Sequence, residues 1–209
     1  MKISQILQTC KDNPLKFAIH LLEKIGIRIF LFYVISEGPF KEPRPVPGVE
    51  TRLLEREELK HLPEVPKEEE LERRLHNGDK CFAAIMNNKI MGSTWVDTKM
   101  CNFDNLFRLE EGEAYLYNAY THPEARKMGI AAYLRYKCYK ELQKEGFRRF
   151  FSITEKQNIP AIRFKEKLGA KIIGSGLRIT ILGKIDFIRC EYAGIKGEIK
   201  LSHNHISCR

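Results

Sequence analysis

Hydrophobic residues recur along most of the chain with either the two-residue period of a strand or the longer period of a helix. Runs rich in β-branched and aromatic residues predict strands over 27–35, 49–54, 80–86, 89–96, 113–121, 149–154, 170–175 and 179–193. Helical spacing between start and stop signals predicts helices over 3–10, 14–25, 55–61, 67–75, 129–145 and 158–168. The chain therefore mixes both kinds of element throughout.

The order of these elements predicts the fold class. Antiparallel strands come first, and two of them join at Asn87-Asn88, where asparagine tolerates the positive φ of a tight hairpin turn. A strand–helix–strand–helix–strand run follows, so we expect a mixed sheet in an α/β or α+β domain. Prolines at 39, 43, 45 and 47 predict an extended linker. The expected domains are an N-terminal helical and strand extension over 1–40, a linker over 41–48, the main domain over 49–195 and a tail over 196–209.

Composition and charge narrow the classes of function. The 209 residues include 36 Lys and Arg against 27 Asp and Glu, for a formal net charge of +9. Such a charge favours nucleic acid, an acidic membrane surface or a phosphorylated cofactor as partner. The basic residues are spread along the chain without a long Lys/Arg tail or a basic helix face, so we expect no nucleic acid.

Cysteine usage and apolar stretches bear on location. Six cysteines occur without a Cys-x-x-Cys pair, which argues against a structural zinc site and a disulfide scaffold, and no metal is expected. Reduced thiols and the lack of a signal-peptide pattern predict a cytoplasmic protein. The apolar stretch 25–36 contains Arg28 and is about half of a membrane span, so no transmembrane segment is expected. A membrane-surface contact by residues 1–36, a substrate lid and a homodimer contact are left open.

The segment 120–132 carries the residue types of a phosphate site, because a strand ends there, a short basic loop follows and a helix starts at glycine. Free amides at a helix N-terminus bind phosphate oxygens, and the helix dipole adds to the attraction. Gly129 lets the backbone approach closely and Ala131 keeps the next turn unobstructed, while Arg126 and Lys127 add charge. Walker and dinucleotide glycine patterns are absent. The segment predicts a pyrophosphate cradle, the alternative being an ordinary helix start.

The same residues resemble a known family. Arg126-x-x-Gly129-x-Ala131, preceded by Thr121-x-Pro123, is similar to the coenzyme A pyrophosphate loop of the GCN5-related N-acetyltransferase (GNAT) superfamily, with Ala131 in place of the usual last glycine. The later run from Asn158 to Ala170 resembles the second conserved helix of that family. The resemblance spans roughly 49–175.

The resemblance implies both a fold and a set of cofactor contacts. The fold is a GNAT-like mixed, mostly antiparallel twisted sheet flanked by helices, with a splayed central strand pair that forms the acyl-CoA cleft. Acetyl-CoA is the implied co-substrate, with its pantetheine arm along a bulged strand, and no metal is implied. The residues assigned to this cofactor are Tyr120, Thr121, Arg126, Lys127, Met128, Gly129, Ile130, Ala131, Ala132 and Asn158.

Acyl transfer to an amine requires a group that removes a proton from the amine. Glu113 is the expected base, because a catalytic glutamate occupies the same offset before the loop in the histone acetyltransferase branch of the resembled family. Glu111 is a second candidate. The alternative for both is that they only solvate the start of a strand.

At the position of the acid that would protonate the leaving thiolate, this chain differs from the family pattern. Lys165 stands where the family usually has tyrosine, and we expect it to be a solvated or phosphate-facing cation. Tyr115, Tyr117 and Tyr120 lie on the strand before the loop, but sequence does not decide their directions. Cys138 falls at core spacing on the next helix, so we interpret it as packing rather than as a nucleophile.

The leading hypothesis is an N-acetyltransferase that moves an acetyl group from acetyl-CoA to an amine by direct attack in a ternary complex. The alternative is a non-catalytic module on the same fold that binds acyl-CoA, a protein or RNA. The acceptor is expected to be a small-molecule or peptide amine, whose identity the residues do not encode.

Overall fold

A computed structural model describes residues 21–101, 103, 106–183, 185–192, 195–196 and 200–203. Its contacts define two compact units, a larger one of Val34–Thr154 with Asn158–Ile173 and a smaller one made from the remainder. The predicted helix 3–10, most of the helix 14–25 and the end of the C-terminal tail lie outside the described residues. The domain boundaries at 41–48 stay a prediction. The larger unit includes these residues and extends back to Val34.

The sheet of the larger unit is mixed and mostly antiparallel. Its strands are the end of β1 (Ile27–Glu37), β2 (Glu50–Leu53), β3 (Lys80–Met86), β4 (Lys89–Asp97), β5 (Glu113–Thr121) and β6 (Arg149–Glu155), in the spatial order β1-β6-β5-β4-β3-β2. Strands β2 to β5 pair antiparallel, and β5 pairs with β6 in parallel. The predicted hairpin between β3 and β4 is confirmed, with φ of 51° at Asn87 and 58° at Asn88.

Helices flank both faces of this sheet. They are α1 (Glu68–Asn77), α2 (Ile130–Lys144) and α3 (Ile159–Lys167), with 3₁₀ turns at Arg56–His61 and Pro123–Ala125. Successive strand residues point to opposite faces, so Phe82 joins the apolar core that contains Leu134 of α2. Its neighbour Cys81 joins a second core, against which Leu71 of α1 packs. The expected GNAT-like sheet flanked by helices is thus confirmed.

The smaller unit is built on β7 (Lys171–Ile181) and β8 (Ile185–Tyr192), with the short strands β9 (Ile195–Lys196) and β10 (Lys200–His203) paired to β8. The predicted interruption between 175 and 179 is wrong, because β7 continues through Gly176. A Cβ at Gly176 would overlap the Phe32 ring, so this glycine serves close packing rather than a turn. The chain turns instead at Leu182 and Gly183, with φ of 51° and 69°.

Candidate active site

A cleft opens in the larger unit where β5 diverges from β6. The two strands pair only over Glu113–Tyr115 of β5. Asn118 has a φ of 44°, and the register between β4 and β5 shifts between Ser93 and Trp95, so β5 carries a bulge at this point. Past the bulge, β5 stays paired with β4 on one edge and borders a cleft of about 800 Å³ on the edge where β6 lay beside it. This is the splayed strand pair that the family resemblance implies.

The N-terminus of α2 forms one wall of this cleft. Gly129 caps the helix in the left-handed conformation with a φ of 86°, which favours glycine. The first helical bond runs from the Tyr133 amide to the Gly129 carbonyl, 3.0 Å away. Within the described chain, the amides here that donate to no protein group are those of Lys127, Gly129, Ile130, Ala131 and Ala132. Unpaired amides at the positive end of a helix dipole form an anion-binding site.

The loop between β5 and α2 is tied back to the strand. The Arg126 Nε donates to the Thr121 carbonyl over 3.4 Å, while the side chain stays exposed. The Met128 amide donates to the carbonyl oxygen of the buried Ala125 over 3.4 Å. The Met128 side chain is exposed and does not line the cleft. Met128 is therefore the one predicted cofactor residue that does not line the cleft. The nine that do line it are Tyr120, Thr121, Arg126, Lys127, Gly129, Ile130, Ala131, Ala132 and Asn158.

The helix α3 supplies the facing wall. The side-chain Oδ1 of Asn158 accepts from the Ala161 amide at 3.2 Å, which caps the helix and leaves the side-chain amino group of Asn158 free to donate. Residues Arg163, Phe164 and Lys167 line the cleft one turn further on. Arg163 and Lys167 were not among the residues predicted from the sequence, although their spacing of four along the helix that follows Asn158 is typical of residues on one helix face.

Behind the cleft lies a buried charge cluster formed by Glu37 of β1, Arg135 of α2 and Lys165 of α3. The Glu37 carboxylate is 3.5 Å from the Arg135 Nε and 3.0 Å from the Lys165 Nζ. The hydroxyls of Tyr139 and Ser152 also donate to it. Arg135 lines the cleft, and its buried Nη1 has no partner among the described residues.

The contacts within the cluster change the pKa values of both Glu37 and Lys165. Burial by itself raises the pKa of a carboxyl group, but Arg135, Lys165 and the two hydroxyls lower the pKa of Glu37 to about 2. Burial lowers the pKa of Lys165 to about 8, against the attraction of Glu37. Two cations thus share one buried carboxylate, which depends on both of them for compensation.

The expectation that Lys165 is solvated or phosphate-facing is wrong. Its side chain is 5% exposed, and the Nζ donates to Ser152 Oγ and Thr154 Oγ1, each at 2.6 Å, in addition to its ion pair with Glu37. These three acceptors match the three protons of an ammonium. Lys165 therefore belongs to the support behind the cleft and not to its lining.

Glu113, the predicted base, does not line the cleft. It is the first residue of β5 and Thr121 is the last, so roughly 26 Å separates them at the rise of about 3.3 Å per strand residue. The Glu113 carboxylate accepts from the Glu110 amide at 2.7 Å and lies 3.0 Å from the Arg149 Nη2. Glu111 is exposed in the turn that precedes β5. A catalytic role for Glu113 stays a prediction that this placement does not support.

The tyrosines of β5 have separate surroundings. Tyr115 is buried in the second core, and burial raises its pKa. The Tyr117 hydroxyl donates to Asp79, and burial followed by this contact raises the Tyr117 pKa. Tyr120 is the one of the three that lines the cleft. Cys138 is fully buried with a raised pKa caused by burial, which confirms its interpretation as a packing residue.

A smaller space, which we call the side pocket, adjoins the cleft and has a volume of about 320 Å³. Glu64, Ser93 and Tyr120 line both spaces. Arg74 of α1 and Trp95 of β4 form further walls of the side pocket. Sequence reasoning missed Glu64 and Arg74, because neither lies in a motif.

None of the helices in the described part of the chain is long and apolar enough to span a bilayer. The same residues include no group of three or more His, Cys, Asp and Glu side chains that could bind a metal ion.

Comparison with known proteins adds to this geometry. The family model described as the acetyltransferase (GNAT) family matches residues 50–170. A comparison with curated proteins gives no match.

Solved structures share the fold at low identity. The chain resembles a Drosophila protein with a TM-score of 0.55 and 13% identity, over 84% of this chain and 58% of that one. For a GCN5-related N-acetyltransferase from Sphaerobacter thermophilus the TM-score is 0.54 and the identity 16%, over 88% and 59% of the two chains. For an acetyltransferase of the GNAT family from Colwellia psychrerythraea the values are 0.53 and 14%, over 86% and 62%. The chain therefore spans less than two thirds of each of these proteins, and the likeness shows the fold alone.

Proposed function

The chain belongs to the acetyltransferase (GNAT) family, and from this premise we propose that it moves an acetyl group from acetyl-CoA to an amine by direct attack in a ternary complex. The observation that carries the proposal is the row of unpaired amides at the N-terminus of α2, which borders the cleft between β5 and β6. Such a row suits a pyrophosphate.

The chemistry of the cleft walls fits coenzyme A along its length. Arg126 and Lys127 place positive charge beside the unpaired amides, where phosphates require it. The backbone of β5 at Tyr120 and Thr121 offers hydrogen-bonding groups to an amide-containing arm, and the Asn158 amino group offers a donor from α3.

When bound, acetyl-CoA supplies the thioester carbon to which the amine nitrogen bonds as the carbon–sulfur bond breaks, with overall release of the thiol and one proton. An alkyl amine is protonated at neutral pH, because its pKa is about 10, so a base has to remove a proton. We assign this role to Glu64, since it is the carboxylate that lines both the cleft and the side pocket. We assign protonation of the departing thiolate to Tyr120, which also lines both spaces.

Titration of the purified chain with acetyl-CoA by calorimetry, with ATP as a comparison ligand, tests the proposal. We expect saturable binding that Gly129→Glu weakens at least tenfold, because this change forces a side chain into a φ of 86° and places a carboxylate at the helix N-terminus. Gly146→Glu is the matched control, since Gly146 follows the other end of α2 with a φ of 98° and open space around it. A folded protein that does not bind acetyl-CoA would contradict the proposal.

A binding module without catalysis is the second candidate. It is favoured by two placements: Lys165 at the usual tyrosine position has all its protons engaged, and Glu113 is far from the cleft. The two functions separate in an assay of thiol release with a panel of amines. Saturable acetyl-CoA binding without thiol release above the hydrolysis background would support the module and remove the enzyme.

A further inference from the structure

We infer that the side pocket takes an acceptor that carries a carboxylate as well as its amine, as a free amino acid does; this inference rests on the acetyl transfer proposed above. The side pocket joins the cleft at Glu64, Ser93 and Tyr120, so an acceptor held there reaches the acyl group from the side. Its volume of about 320 Å³ suits a small molecule.

Arg74 is the group that would hold the carboxylate. Its side chain is 7% exposed, and its guanidinium stacks 4.8 Å from the centre of the Trp95 ring and 5.0 Å from that of Tyr117. The Nε donates to the Glu70 carboxylate at 2.8 Å. With the Asn118 amide oriented to satisfy both partners, its oxygen accepts from the two Nη atoms at 2.9 and 3.2 Å. The guanidinium is therefore fixed in place before any ligand binds.

Arg74 does not have its carboxylate partner to itself. Glu70 is shared, because Arg73 also donates to it from Nε at 2.8 Å and from Nη2 at 2.9 Å. Hydrogen bonds from Arg73 and then Arg74 outweigh burial and lower the pKa of Glu70 to about 2, so it is ionised near neutral pH. Lys67 is a second cation among the residues that line the side pocket. A planar, fixed guanidinium with remaining donors binds carboxylates in preference to neutral groups.

Glu64 provides the opposite charge at the junction with the cleft. It is exposed, and no ion pair or hydrogen bond joins it to another residue of the described chain. An ammonium group beside Glu64 would therefore sit at the entrance to the cleft, while Arg74 lies deeper in the side pocket. The side chains of Trp95 and Tyr120 provide apolar area between the two charged ends. Opposite charges at two ends of a small pocket select a molecule that carries both.

The test compares matched acceptors in an assay of thiol release with saturating acetyl-CoA. Alanine, methionine and phenylalanine are each supplied as the free acid, as the amide and as the amine that lacks the carboxyl group. We expect kcat/KM for at least one free acid to exceed that of its amide and its plain amine tenfold or more, because a site built to bind a polar group rejects analogues without it. A peptide that begins with a neutral residue is expected to behave like the amides.

Variants then assign the preference to the arginine. Arg74→Gln is expected to raise KM for the acid and to remove the preference over the amide, with the acetyl-CoA Kd unchanged. Arg73→Gln is the matched control, because Arg73 bonds to the same Glu70 but does not line the side pocket. If Arg74→Gln does not fold, the ratio of acid to amide in the unaltered chain still decides.

The outcomes separate this inference from the proposed function. Equal or better turnover of the amides or plain amines, or no turnover of any acid by a chain that binds acetyl-CoA, would overturn the inference. Absence of acetyl-CoA binding would instead overturn the proposed function. A preference for acids that Arg74→Gln leaves intact would place the carboxylate elsewhere and also overturn the assignment.

Discussion

The cleft and the side pocket meet at Glu64, Ser93 and Tyr120, yet they are built largely from different parts of the chain. The phosphate end of the cleft consists mainly of backbone amides from the contiguous segment 127–132, held open by the left-handed Gly129. Backbone amides are present at every non-proline residue, so this half of the site needs few particular side chains apart from the glycine at 129, and it suits the cofactor proposed above.

The side pocket consists of side chains from three separate stretches. Glu64 and Arg74 come from the stretch that leads into and forms α1, Trp95 lies on β4, and Tyr120 lies on β5. A change of one side chain alters its charge or shape without touching the cofactor amides. On the function proposed above, such a site can keep its acyl donor while its acceptor varies.

Removing the carboxylate of the charge cluster behind the cleft should have the largest effect, and this effect is on the stability of the fold. Glu37→Gln leaves Arg135 and Lys165 buried without their carboxylate, which is expected to lower the free energy of unfolding by about 3–5 kcal/mol. Urea unfolding followed by circular dichroism measures this loss. Glu64→Gln, at the exposed junction with the side pocket, is the control and should unfold at the unaltered urea midpoint. Equal midpoints for the two variants would contradict the role given to the cluster.

The same cluster predicts a pH dependence of stability. The pKa of Glu37 in the folded chain is about 2, below its ordinary value of 4.5, so the unfolded chain binds the proton first as the pH falls. The stabilisation is complete above about pH 4.5 and is lost towards pH 2, an effect of about 3 kcal/mol at 1.36 kcal/mol per pKa unit.

Comparison with Glu37→Gln isolates this contribution, because Glu58 and Glu70 also have pKa values of about 2. The difference in unfolding free energy between the two proteins should shrink from pH 5 to pH 3. A difference that stays constant with pH would show that Glu37 does not titrate as proposed.

Glu64→Gln should separate catalysis from cofactor binding. Loss of a general base is expected to lower kcat by about 10²-fold or more, while the calorimetric Kd for acetyl-CoA stays unchanged. Glu113→Gln is the matched carboxylate control, and its kcat per folded protein should be close to that of the unaltered chain. The reverse pattern, with kcat lost only in Glu113→Gln, would restore the base that the sequence predicts and refute Glu64.

The exposed cations of α3 should have the smallest effect. Arg163→Gln and Lys167→Gln are each expected to weaken acetyl-CoA binding about two- to fivefold, as exposed ionic contacts contribute up to about 1 kcal/mol. The loss should diminish in high salt, which screens such charges. Lys140→Gln, on the exposed surface of α2 outside the cleft, is the control. A loss that is independent of salt would point to a structural role instead.

Sequence reasoning succeeded where a signal is local. The bounds of β5, the hairpin at Asn87-Asn88 and the helix start after Gly129 follow from residue period and turn chemistry within a few positions. It failed at Gly176, where the reason for glycine is the ring of Phe32 from another strand. It failed at Lys165 for a similar reason, because the carboxylate that pairs with this buried lysine belongs to Glu37 on β1.

Local sequence was therefore sufficient to establish the mixed sheet, the family and the backbone cradle, because amide geometry at a helix start depends on neighbours in the chain. Only the tertiary structure decided which carboxylate reaches the cleft, what lies behind it and which charges line the side pocket. Those properties depend on side chains that come together from distant segments, and their burial and pairing arise from packing that no short stretch of sequence contains.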